Sequence, residues 1–165
     1  MSTTTMRDVA LRADVAPGTV ANHFGSAAAL AAEVASGLLG ELRMPSPELF
    51  DGVVGLRARV ELLVRELSAF FDRSDPWWRA SQREGRSVSF WAEAEARYYQ
   101  QLDALVRTAL GPLASDEDAV AVVITVFGTW VIGSLQQAGR TGEQAESLVA
   151  DMLASWLETR RTPDR

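Results

Sequence analysis

Apolar positions recur along the chain at the three- and four-residue spacing of amphipathic helices, and no sustained apolar/polar alternation or Asn-Gly or Asp-Gly hairpin turn signals a strand. Thr5-x-x-Asp8 reads as a capping box opening a helix over about 5–13. Pro17 starts a short helix to Phe24, and Gly25-Ser26 breaks the chain and caps the next one, over about 26–43, with Leu30, Val34, Leu38 and Leu42 four apart. A broad stripe from Leu56 to Phe71 predicts a helix over 53–73. Asp75-Pro76 then predicts a separate short helix ending near Gly85. Ser87 can cap a helix over 87–110, which Gly111-Pro112 ends, and Ser115-x-x-Asp118 predicts one uncharged helix over 116–138. A last capping box, Thr141-x-x-Gln144, opens a helix to Arg160 whose apolar residues fall in adjacent pairs: Leu148 and Val149, Met152 and Leu153, Trp156 and Leu157. The expected fold is all-α, with a small N-terminal unit over 1–44 and a larger helical bundle over 45–165.

The run from Ala119 to Leu135 carries no charge, but it falls short of the roughly 20 residues that a membrane span needs. It reads as a buried helix, and no membrane partner is expected. An apolar fraction of 47% is enough for a real core. The chain has no Cys, no Lys and one His, which leaves no thiolate site, no catalytic Lys and no His-based metal or catalytic pair. Neither metal nor cofactor is expected. Glu84, Glu93 and Glu95 beside Arg83, Arg86 and Arg97 read as a solvated ion-pair face rather than acid–base machinery. An enzyme is therefore not expected. The net charge of −6 opposes simple phosphate neutralisation, so nucleic-acid binding would need a local surface.

One motif offers that surface. Residues 5–30 read TMRDVALRADVAPGTVANHFGSAAAL: a capped helix, a tight turn at Asp14-Val15 and a second short helix. This is helix-turn-helix order, in which the second helix enters the major groove. Pro17 fixes the helix start, Gly18 allows close backbone approach, and Thr19 offers a hydroxyl near a helix N-terminus. Asn22 can bond a base edge or the backbone, and His23 can donate to a phosphate oxygen. The run, above all Pro-Gly-Thr followed by Asn-His-Phe, resembles the DNA-binding signature of the TetR family of transcriptional regulators. That resemblance implies backbone contacts from Thr4, Thr5, Thr19 and His23.

The sequence departs from the family pattern at four positions. Asp14 stands where Gly is usual in a positive-φ turn, Ala16 where Ser caps the second helix, Ala21 where Tyr is frequent, and Ala27 where Lys is frequent. A helix that normally precedes the one opening at Thr5 is also not evident in the sequence. The resemblance further implies a cytoplasmic homodimer binding a near-palindromic double-stranded operator, and a small apolar or aromatic ligand held in the bundle. Candidate pocket residues are Phe71, Trp78, Trp91, Tyr98 and Thr129, and candidate dimer residues are Phe127, Trp130, Val131, Met152 and Trp156. The alternative reading is a ligand-binding and dimerisation module without DNA contact.

Overall fold

The computed structural model describes residues 5–31, 33–34, 43–84, 89–128 and 131–161; over 75–84, 89–95 and 128 it describes the backbone alone. Every element among the described residues is helical. The chain divides into two compact units, Met1–Arg43 and Met44–Arg165.

The first unit holds α1 (Met6–Arg12) and α2 (Pro17–Phe24), packed against each other. Helical backbone resumes at 27, where Ser26 Oγ accepts from the Ala29 amide at 3.1 Å. The Val34 position is described; Leu38 and Leu42 of the expected stripe lie outside the described residues.

The second unit is a bundle of α3 (Leu56–Glu84), α4 (Ser89–Leu110), α5 (Glu117–Gly128), α6 (Val131–Gln137) and α7 (Gly142–Arg160), with 3-10 turns at Pro47–Phe50 and Gly111–Ser115. The α3 and α7 helices pack along each other, α4 lies against α3 and α5, and α7 also receives α5 and α6. The core gathers Phe50, Leu63, Leu67, Leu102, Leu105, Leu110, Val123, Phe127, Leu153 and Leu157, all nearly or fully buried.

Three sequence expectations need correction. The break at Asp75-Pro76 does not occur: α3 continues through it to Glu84. A proline inside a helix forfeits one backbone bond and crowds the carbonyl four residues back, at a cost of about 3 kcal/mol. The preceding turns of α3 are anchored by Val60, Leu63, Val64, Leu67 and Phe70 in the core, and Ser74 Oγ donates to the Phe71 carbonyl at 3.2 Å just before the proline. The expected single helix over 116–138 is two, α5 and α6, whose axes differ by 42°. Its start is capped one residue later than expected, because Asp116 Oδ1, not Ser115, accepts from the Ala119 amide at 3.1 Å. The Ser87 cap and the Gly85 stop lie outside the described residues. Among the described residues no single helix is long and apolar enough to cross a membrane.

Arginines fasten one end of the bundle. Arg107 grips both carboxylate oxygens of Asp103 and of Glu117 and donates to the Ala114 carbonyl at 2.7 Å, joining α4 to the start of α5. Arg160 donates to both oxygens of Asp116 at 2.6 and 3.0 Å, so the residue that caps α5 also holds the end of α7. Arg57 bridges α3 to Asp151 and Glu158 of α7, and Arg59 donates to the Val53 and Thr108 carbonyls. The Arg160 guanidinium holds the Asp116 carboxyl below its usual range, assisted by the Ala119 amide, and Arg107 does the same for Glu117.

Candidate nucleic-acid interface

Local chemistry sets the geometry of the N-terminal unit. Thr5 caps α1 with both halves of the box: its hydroxyl accepts from the Asp8 amide at 3.2 Å, and its own amide donates to Asp8 Oδ2 at 2.8 Å. The Thr5 hydroxyl also donates to Oδ2 at 2.7 Å. These bonds, the hydroxyl's first, hold the Asp8 carboxyl below its usual range. At the far end of α1 the Ala13 amide donates to Val9 and the Val15 amide to Ala10, satisfying carbonyls that a helix end leaves open. Between them Asp14 takes φ 54°, the left-handed conformation that Gly accepts freely and Asp tolerates better than most residues. This turn swings the chain into α2.

The α2 helix begins at Pro17 with no side-chain cap from Ala16, and the Thr19 amide donates to the Ala16 carbonyl at 2.8 Å. It ends at Gly25, φ 72°, whose amide returns to Ala21. Ala10 and Val20 are buried where the two helices meet, and Phe24 is half-buried with the His23 ring edge-on to it at 4.6 Å. Pro17, Gly18, Thr19, Ala21, Asn22 and His23 are all exposed. The fold therefore brings five of the expected DNA-contact residues, Pro17, Gly18, Thr19, Asn22 and His23, onto one short helix facing solvent.

Thr5 stands apart from that group. Its hydroxyl proton is already committed to Asp8, and a phosphate would have to compete for it beside a carboxylate. Thr4 lies outside the described residues. Arg7 and Arg12 on α1 are exposed and were not among the expected contacts, although an arginine beside a helix-turn-helix is the ordinary source of phosphate neutralisation.

Residues 1–34 match the family model described as bacterial regulatory proteins, tetR family. These residues carry the N-terminal module of TetR-family regulators. The match falls within the N-terminal unit that presents α2, and it places the chain among DNA-binding transcriptional regulators. No curated protein and no solved structure matches the chain.

The bundle carries the remaining candidates. Phe71 and Tyr98 meet across α3 and α4 with ring centroids 6.4 Å apart, and Phe70 stacks on Tyr98 at the same distance. Burial, and then the neighbouring Tyr99, push the Tyr98 hydroxyl above its ordinary range. The Trp78 and Trp91 side chains and Thr129 lie outside the described residues. Of the candidate dimer residues, Phe127 is 5% exposed and belongs to the core of its own bundle, leaving it little surface for a second copy. Val131 is half-buried against that core, and Trp130 lies outside the described residues.

The paired apolar stripes of α7 separate. Val149, Leu153 and Leu157 turn inward, while Leu148 and Met152 stay half exposed. Trp156 is partly covered, with the Arg160 guanidinium 5.1 Å from its ring centre. Val122 on α5 is also exposed. Leu148 and Val122 were not among the sequence candidates; Leu148 falls four residues before Met152 and eight before Trp156.

Proposed function

We propose that this protein is a ligand-responsive repressor that binds a near-palindromic operator in the cytoplasm as a homodimer, with α2 of each copy in the major groove. The observation that carries the proposal is the exposed face of α2, Pro17 to His23, held outward by the buried pair Ala10 and Val20. In this reading Thr19 and His23 position the helix on phosphates while Gly18 lets its backbone come close. The half-exposed stripe of Leu148 and Met152 supports pairing of α7 with a second copy. Two such heads would engage half-sites one turn of DNA, about 34 Å, apart. An apolar or aromatic ligand beside Phe71 and Tyr98 would shift the bundle, and a coupling of roughly 1–3 kcal/mol would give a useful response.

Fluorescence anisotropy of the full chain on the DNA flanking its own gene tests this. Expected is a sequence preference over unrelated duplex and an affinity that falls steeply with salt. Equal, weak binding to all sequences would favour the second reading, a dimerisation and ligand-binding module without operator contact. That reading draws support from the carboxylate of Asp8 at the Thr5 cap and from the missing side-chain cap at Ala16.

A further inference from the structure

We infer that Asn22 is the side chain with which α2 reads sequence, and that the base it reads is an adenine in the major groove. This rests on the reading of the N-terminal unit as a DNA-binding head.

With about 3.6 residues per turn, positions 18 and 22 fall on the side of α2 opposite Val20 and Phe24. Those two are the residues that α2 turns inward, Val20 at 5% exposure and Phe24 half-buried. The outermost line of the helix is thus Gly18 and Asn22. Gly18 contributes no side chain, and nothing lies within 4 Å of where a Cβ would stand. The flanks are Thr19 and Ala21, both short, and His23, whose ring is turned edge-on to Phe24. Asn22 therefore projects beyond its neighbours on the face that would lie deepest in a groove, and among the described residues its carboxamide has no hydrogen-bond partner.

The chemistry of that group selects the base. A carboxamide offers one acceptor and one donor side by side, and the major-groove edge of adenine presents the complement, an N6 donor beside the N7 acceptor. Guanine presents two acceptors there and is matched by Arg or Lys, neither of which occurs in α2. Thymine offers a methyl group, which suits Ala21 or the Thr19 methyl as a neighbouring contact but not the carboxamide. Apart from Asn22, α2 offers only the Thr19 hydroxyl and the His23 ring as polar groups, both nearer its flanks. Base reading by this helix is accordingly narrow and centred on one position in each half-site.

The test uses the full chain and an operator recovered by selection from random duplexes, followed by anisotropy at fixed salt. Asn22→Ala is exposed and caps nothing, and circular dichroism confirms its fold. Selection is expected to return one adenine fixed in each half-site. Replacing it with 7-deazaadenine, which lacks the N7 acceptor, should weaken the wild type roughly 5- to 100-fold and leave Asn22→Ala unaffected. An Asn22→Ala variant weakened equally on every sequence, or 7-deaza substitution that affects both proteins alike, would overturn the assignment while leaving the DNA-binding reading intact. A wild-type chain that binds no duplex at low salt would overturn both.

Discussion

Met152→Asp is the most direct probe of how the α7 surface is used. Met152 is 51% exposed and Leu148, one turn earlier, is 50% exposed, while Val149 and Leu153 beside them are fully inside. Half of a methionine surface is roughly 100 Å², which at about 25 cal/mol per Å² is worth about 2.5 kcal/mol when covered by a second copy. A two-fold contact uses the residue twice, so the substitution removes about 5 kcal/mol per dimer, before any repulsion between two carboxylates brought together. At about 1.4 kcal/mol per tenfold, the dissociation constant should rise by three orders of magnitude or more. Sedimentation equilibrium measures this, with circular dichroism to show that the monomer keeps its helices; because Met152 lies outside the core, the fold should survive. A wild-type chain that is monomeric at about 100 µM, or a variant whose association is unchanged, would refute the assignment of this stripe to a subunit contact.

Other outcomes follow from the same structure. Leu153→Ala opens a cavity between α7 and the core and should cost about 2–5 kcal/mol in urea unfolding, in contrast to Leu148→Ala, whose half-exposed side chain should cost far less in a monomer. Asp14→Val forces a β-branched residue into φ 54°, adding about 1–2 kcal/mol of strain, and should speed hydrogen exchange across α2, whereas Asp14→Gly should leave exchange unchanged or slower. Thr141→Ala removes the cap that accepts from Gln144 and should lower stability by about 1 kcal/mol in the same unfolding assay. The Asp116 carboxyl is held below the ordinary carboxylate range, chiefly by Arg160, so the stability it contributes is complete above the unfolded-state pKa and is lost as pH falls through the lower folded value. Asp116→Asn should therefore flatten the acid limb of a thermal melt series below about pH 4 and lower the melting temperature at neutral pH.

Features governed by a few neighbouring residues were legible in the sequence. The boxes at Thr5 and Thr141 form as their three-residue spacing requires, and Asp14 takes the left-handed turn that its place in the motif demands. Proline at 76 reads as a break for local reasons, yet α3 runs through it, continuing a helix whose preceding turns bury Val60, Leu63, Val64, Leu67 and Phe70. The division between α5 and α6 leaves no clear mark in a run where every residue is apolar or small, since no polar face shows which way each segment turns. Partners far apart in the chain, such as Arg57 with Asp151 and Arg160 with Asp116, are set by how α3, α5 and α7 meet. The candidate interface divides in the same way. The outward face of α2 follows from Val20 and Phe24 at helical spacing, whereas the capture of the Thr5 hydroxyl by Asp8 is a matter of rotamer, which spacing does not specify.

The double role of Asp116 makes two distant helix ends share one fate. Its carboxylate holds the first turn of α5 through the Ala119 amide and the last turn of α7 through Arg160. Fraying at either end surrenders a bond that the other was using, so these turns should open together as one small cooperative unit rather than unwind independently. Amide deuteration at Ala119 and through the final turn of α7 should then proceed with a common opening constant, and a change that loosens one terminus will be felt at the other across a gap of more than forty residues in the chain.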